Sequence, residues 1–116
     1  IGLVTPYLGS VQAAILANLR TEGFATAAER HLEDPGNYSF ADHAPDLVTR
    51  LVQEVAAEGC DAIAIHCTNF RGLDAAAAMP GVPVLDSVAV ALWGALRAAG
   101  ADPSLAPALG ALSALR

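Results

Sequence analysis

Apolar residues fall in four short blocks, separated by stretches where they recur at helical spacing. Ile1-Gly-Leu-Val-Thr5 is an apolar run stopped by Pro6, which predicts a strand close to full burial. Gly9-Ser10 opens a helical stretch with Val11, Ile15 and Leu19 on one face. Ser10 is the expected N-cap and Gly23 the expected stop. Phe24 to Leu32 predicts a weaker strand with charges at its far end. Asp34-Pro-Gly-Asn37 is strong turn chemistry. A second helix is predicted from Pro45 to Glu58, with Pro in its first turn and Leu47, Leu51 and Val55 repeating every four residues. Asp61 to His66 predicts another strand, and an Ala-rich helix over Leu73–Ala78 closes at Pro80-Gly81. Val82-Pro-Val-Leu85 is the last strand, and Asp86 and Ser87 can cap a helix that ends at Gly100.

Strand and helix alternate throughout. That order predicts an α/β fold, a parallel sheet wrapped by helices through right-handed crossovers. The α/β domain is expected over residues 1–100, with 101–116 as a helical C-terminal tail. On a helix, Leu105, Leu109, Leu112 and Leu115 of that tail form one apolar stripe. The stripe packs on this domain's own sheet, or docks on a partner surface that hides it.

Composition narrows the function. The chain has 116 residues, 54% hydrophobic and 16% charged, which suits one domain with its own core. No apolar run approaches the roughly 18 residues of a membrane span, so no membrane partner is expected. Net charge is −6, and the six cationic residues are all Arg, scattered from Arg20 to Arg116. A basic face for nucleic acid is therefore absent. Lysine is absent too, which excludes a side-chain Schiff base and a Walker-A loop. Cys60 and Cys67 form no CxxC pair, so neither a zinc site nor a disulfide framework is expected. The chain starts at Ile1 without a signal-peptide pattern, which leads us to expect a cytoplasmic protein with something missing upstream.

In a parallel α/β sheet, ligands bind beyond the carboxyl ends of the strands. Those ends carry Thr5-Pro6-Tyr7, then Asn37-Tyr38-Ser39, then Cys67-Thr68-Asn69, then Asp86-Ser87. The set offers a thiol, phenols, amides and hydroxyls with few fixed charges, which suits binding an anion through neutral donors. Cys67 is the sharpest candidate, because N–H groups opening the next turn can hold an oxyanion and favour a thiolate; as a plain core residue it would be a small hydrophobe. Cys60 is expected at the opposite edge, packed and slower to alkylate than Cys67. His66 neighbours Cys67 but points to the opposite face of its strand; it is expected as a core or supporting histidine. His31 and His43 lie on solvated segments, and Asp34, Asp42 and Asp46 read as turn and cap residues. Cys67 is followed by Arg71 after three residues and by Leu73 where a C-x5-R phosphatase loop needs Arg. No G-x-S-x-G elbow occurs.

Ile1-Gly-Leu-Val-Thr-Pro-Tyr7, Cys67-Thr-Asn-Phe-Arg71 and Pro83-Val-Leu-Asp-Ser87, with Leu92-Trp93 and Leu96-Arg97, together resemble the aspartate/glutamate racemase superfamily. They are most similar to its maleate cis–trans isomerase and arylmalonate decarboxylase branch, and to its C-terminal half only. The resemblance implies a flavodoxin-like four-stranded sheet, one of two pseudo-symmetric halves with the active site between them. It implies an isomerase that needs no cofactor and converts a small dicarboxylate, maleate, to fumarate. Decarboxylation of an arylmalonate, racemisation of an amino acid or hydantoin, and a non-catalytic anion-binding domain are the alternatives. By resemblance Cys67 moves a proton at the substrate carbon. Tyr7, Asn37, Thr68 and Asn69 hold substrate carboxylates, and Thr5, Pro6, His66, Asp86 and Ser87 support them. The implied partners are the missing N-terminal half or a second copy of the chain, and the 116-residue chain alone is expected to be inactive.

Overall fold

The computed structural model describes residues 1–115; Arg116, the last residue of the expected tail, lies outside the described residues. Strand β1 (Gly2–Thr5) leads to helix α1 (Gly9–Thr21) and strand β2 (Ala28–His31). A 3₁₀ turn (Ser39–Asp42) precedes α2 (Pro45–Ala57), β3 (Ile63–Ile65), α3 (Leu73–Ala78), β4 (Val84–Asp86) and α4 (Ser87–Ala98). The four strands form one parallel sheet in the order β2-β1-β3-β4.

The chain steps from β1 to one edge, then returns across β1 to β3 and β4. Right-handed crossovers therefore place α1 on one face and α2 and α3 on the other. Register assigns the side chains. Gly2, Ala28, Ile63 and Val84 align across the sheet, as do Val4, Arg30, Ile65 and Asp86. These rows face α2 and α3. Val4, Ala28, Ile63, Ile65 and Val84 pack there with Val48, Leu51, Val52 and Val55 of α2. Each fully buried Val or Ile in this layer contributes about 1.5–3 kcal/mol. Gly2 lets α2 sit close, since a Cβ there would collide with Val55.

The opposite face carries Leu3, Thr5, Glu29, His31, Ala64 and Leu85, and it is polar at its β2 edge. Helix α1 does not bury the expected stripe. Its one buried residue is Gln12, while Val11 is 43% exposed. Nor is Ser10 its N-cap: the cap lies two residues earlier, at Leu8, whose carbonyl accepts from Val11 and Gln12 N–H (2.9 and 3.0 Å). The second strand is shorter than expected, because pairing with β1 begins at Ala28; Phe24 is half-exposed. Asp86 does cap α4, its Oδ1 accepting from Val88 and Ala89 N–H at 2.9 and 3.0 Å.

The tail forms 3₁₀ turns (Pro103–Leu105 and Pro107–Ala114) instead of a continuous helical stripe. At Gly110 the backbone turns to φ 58°, ψ −136°, a region open essentially to glycine alone, and a Cβ would strike the Ala76 carbonyl. Leu109 and Leu112 are buried with Ala89, against Leu85, Trp93 and Leu96. Leu105 is 80% exposed. The tail thus wraps its own domain, touching α3, α4 and β4. Among the described residues, no helix is long and apolar enough to cross a membrane.

Candidate active site

All four strands run the same way, so Tyr7, Asn37, Cys67 and Ser87 follow their strands at one edge of the sheet. Tyr7 and Cys67 are neighbours: Tyr7 packs against the buried cluster that holds Cys67, close enough for the thiol to act on the phenol. Burial chiefly, then the neighbouring Cys67 thiol, push the Tyr7 hydroxyl up to about 12. Tyr7 therefore stays protonated at neutral pH and keeps a proton to donate. Its ring meets Phe40 edge to face at 5.4 Å, so the hydroxyl is carried by a packed aromatic.

Cys67 opens a turn in which its carbonyl accepts the Phe70 N–H at 3.4 Å. Phe70 is buried and meets the His43 ring edge to face at 5.8 Å. Thr68 and Asn69 are exposed at the tip of this turn. Their backbone N–H groups donate to no acceptor among the described residues. Asn69 Nδ2 donates to the Asn37 carbonyl at 2.7 Å, tying the Cys67 turn to the loop after β2. That leaves the Asn37 side chain exposed beside it.

The loop after β2 is held by Asp34. Its Oδ1 accepts from Ser39 Oγ (2.7 Å) and Gly36 N–H (2.8 Å), and Oδ2 faces His43 Nε2 at 2.9 Å. Those bonds, Ser39 first, hold the Asp34 carboxyl below its ordinary range. His43 is thus a structural partner, not a solvated bystander. Tyr38, 92% exposed, projects from the same loop.

The residues expected in support of the site have their own partners. Thr5 is buried on the α1 side and donates to Gln12 Oε1 at 2.7 Å. Pro6 is buried and its carbonyl accepts from Asp34 N–H at 3.0 Å. Ser87 Oγ turns back to the Ile65 carbonyl at 3.0 Å. Asp86 points to the α2–α3 side, 1% exposed, with Oδ2 unpartnered among the described residues and pressed under Gly72. Burial pushes its carboxyl up against the opposing pull of its two amide bonds. His66 is exposed, not a core histidine; the strand alternation that buries Cys67 turns it outward. The thiols also differ from expectation: Cys67 is 7% exposed, and Cys60, at the opposite edge, is the more open of the two.

Beside the Cys67 turn lies an open cavity of about 320 Å³, lined by Thr68, Asn69, Arg71, Asp74, Asp86 and Val88 among others. No group of three or more His, Cys, Asp or Glu among the described residues is arranged to hold a metal ion.

A four-stranded parallel sheet flanked by helices, with Tyr7 and Cys67 at its carboxyl edge, makes this an α/β protein. No protein-family model matches the chain. A maleate isomerase of Pseudomonas putida is 30% identical in an alignment that covers 97% of this chain and 46% of that protein. The crystal structure of a maleate isomerase from another Pseudomonas putida strain superposes with a TM-score of 0.84 at 25% identity, over 96% of this chain and 46% of that one. An arylmalonate decarboxylase variant in a sulfate-associated form gives 0.70 at 27% identity, over 84% and 44%. The chain spans about half the length of the relatives it matches. It resembles the maleate isomerase and arylmalonate decarboxylase branch, as its strand-end motifs imply.

Proposed function

We propose that this chain supplies one wall of a cofactor-independent isomerase acting on a small dicarboxylate, maleate, with Cys67 as its proton-transferring thiol. The observation that carries the reading is Tyr7 packed beside Cys67, next to the undonated N–H groups of Thr68 and Asn69. One group can move a proton at carbon, and its neighbours can hold a carboxylate or enediolate with neutral donors. Tyr7 and Asn37 contribute the side-chain donors. The facing wall supplies a second thiolate. That thiolate adds to one alkene carbon, Cys67 gives its proton to the other, and the new carbon–carbon single bond rotates. Cys67 then takes the proton back as the carbon–sulfur bond breaks, releasing fumarate and the thiolate with no net redox change. The similarity to maleate isomerases supports this choice of substrate. Decarboxylation, the second reading, is supported by the likeness to arylmalonate decarboxylase and by the aromatic side chains of Phe40 and Phe70 in the buried cluster that holds Cys67.

The test joins this chain to the complementary half of the Pseudomonas putida maleate isomerase and follows maleate loss by absorbance. The folded fusion should convert maleate, and Cys67→Ser should lower turnover by a few orders of magnitude. The chain alone should show none. A folded fusion without turnover, or turnover by the isolated chain that Cys67→Ala abolishes, would overturn the two-walled mechanism.

A further inference from the structure

A closed ring of hydrogen bonds runs from the Tyr7 backbone through the polar face of the sheet and back to it. Tyr7 N–H donates to Thr5 Oγ1 (3.3 Å), whose hydroxyl donates to Gln12 Oε1 (2.7 Å). Gln12 Nε2 donates to Glu29 Oε2 (2.7 Å), and His31 Nδ1 meets the same oxygen at 2.9 Å. On its other side His31 Nε2 meets Glu33 Oε1 at 2.7 Å. That oxygen also accepts the Gly9 N–H (3.0 Å), and Glu33 N–H returns to the Tyr7 carbonyl at 3.1 Å. Glu33 holds φ 53° to make the closure. Gln12, the one buried polar side chain of α1, completes the ring where an apolar residue would leave Thr5 and Glu29 unlinked.

His31 is the titratable link. Only the imidazolium has a proton on both nitrogens, so only it can donate to Glu29 and Glu33 together. Neutral His31 must give up one bond and leave a lone pair facing a carboxylate. The Glu29 bond above all, then Glu33, raises its pKa from the ordinary histidine value. The charges facing it are those two carboxylates. From α1 comes neutral Gln12 and from β1 neutral Thr5; Arg30 turns away to Glu54 and Glu58, and Asp34 to His43.

We infer that His31 is a positioning residue which, through this ring on the Tyr7 backbone, sets the Tyr7 side chain beside the Cys67 thiol, so that the thiol's environment follows the charge on His31. The inference rests on Tyr7 and Cys67 being the working pair of the proposed site, but its test does not need turnover.

The experiment measures the iodoacetamide labelling rate of Cys67 relative to Cys60 by mass spectrometry from pH 5 to 9, while NMR follows the His31 ring protons. With the ring closed, Tyr7 shields the sulfur. As His31 loses its proton the ratio should rise about five-fold, the population change from losing one ordinary hydrogen bond, with the same midpoint as the His31 titration. In His31→Gln the step should vanish. In Gln12→Leu, which cuts the ring but leaves His31 titrating, the ratio should stay high at every pH. A midpoint more than one pH unit from that of His31, or an unchanged step in either folded variant, would overturn the inference. The wild-type comparison decides even where a variant does not fold. A step in the chain with no turnover in the fused enzyme would discard the isomerase reading and keep this one; turnover without a step would do the reverse.

Discussion

Replacing Asp86 with Asn should raise stability at neutral pH relative to acid pH. Asp86 is 1% exposed, and its two oxygens have opposite fates. Oδ1 takes two amide N–H bonds at the start of α4, while Oδ2 has no partner among the described residues. Asn caps a helix about as well as Asp, so the cap survives. What the substitution removes is the buried charge. The helix N-terminus favours that charge by about 0.3–1 kcal/mol, but burial outweighs it and the carboxyl is raised above its ordinary 3.8. A raised acid stabilises the fold fully below the unfolded value, and that contribution is lost as pH rises through the folded value. A buried group left without its partner costs about 1–3 kcal/mol, more when charged. Urea titrations of both proteins at pH 4 and pH 8 should therefore show Asp86→Asn gaining at least about 1 kcal/mol over wild type between the two pH values. The lowered carboxyls of Glu29 and Asp34 lose stability as pH falls in both proteins and cancel in the difference. An equal effect at both pH values, or a relative loss at pH 8, would show that Oδ2 has a partner in solution and that the charge is compensated.

Other changes test neighbouring parts of the argument. Gly72→Ala brings a Cβ to 2.5 Å from Asp86 Oδ2 and 2.6 Å from Ile65 Cδ1, both fixed in the core, and should cost about 1–3 kcal/mol in urea; a neutral result would mean the Cys67 turn yields. Gly110→Ala should unlatch the tail, through a backbone cost of about 1–3 kcal/mol and the collision with Ala76. The readout is Trp93 fluorescence, since the indole N–H donates to the Leu115 carbonyl at 3.2 Å; unchanged emission would refute the docking. Iodoacetamide should modify Cys60 before Cys67 in the native chain, because Cys60 lines an open pocket with Ile1 and Gly23. The reverse order would show that the Tyr7 contact opens in solution.

Topology was legible because the alternation of apolar blocks and helical spacing admits few folds. Pro45 and Asp86 marked helix starts by mechanisms that act locally. The failures share a cause, which is that tertiary partners decided them. Ser10 has the chemistry of a cap, yet the chain leaves β1 in a direction that lets Leu8 supply the carbonyl, and Gly9 enters the helix. The stripe of Val11, Ile15 and Leu19 suggested an apolar contact, but α1 lies over the polar row of the β2 edge, so Gln12 is the residue buried. A sequence signal for that row existed: Glu29, His31 and Glu33 alternate, and alternate residues share one face of a strand. The tail's leucine spacing fits a helix only until Gly110, where packing on Ala76 imposes a conformation no helix has.

The sheet order itself explains why Tyr7 and Cys67 meet. Strand β1 is where the chain reverses its direction of travel, one crossover going to β2 and the next returning to β3. At such a switch point the loops after the two central strands diverge to opposite faces and leave a crevice between them, where ligands of open parallel sheets bind. Tyr7 and Cys67 each stand two residues past the end of a central strand, with Val4 paired to Ile65 just below. Neither residue needs the other in sequence to be placed; the crossover rule brings them together. The thiol then has the Tyr7 phenol as a neighbour, and the undonated N–H groups of Thr68 and Asn69 lie in its own turn. Backbone N–H groups and the phenol come near one another there because the switch point brings the ends of the two central strands together.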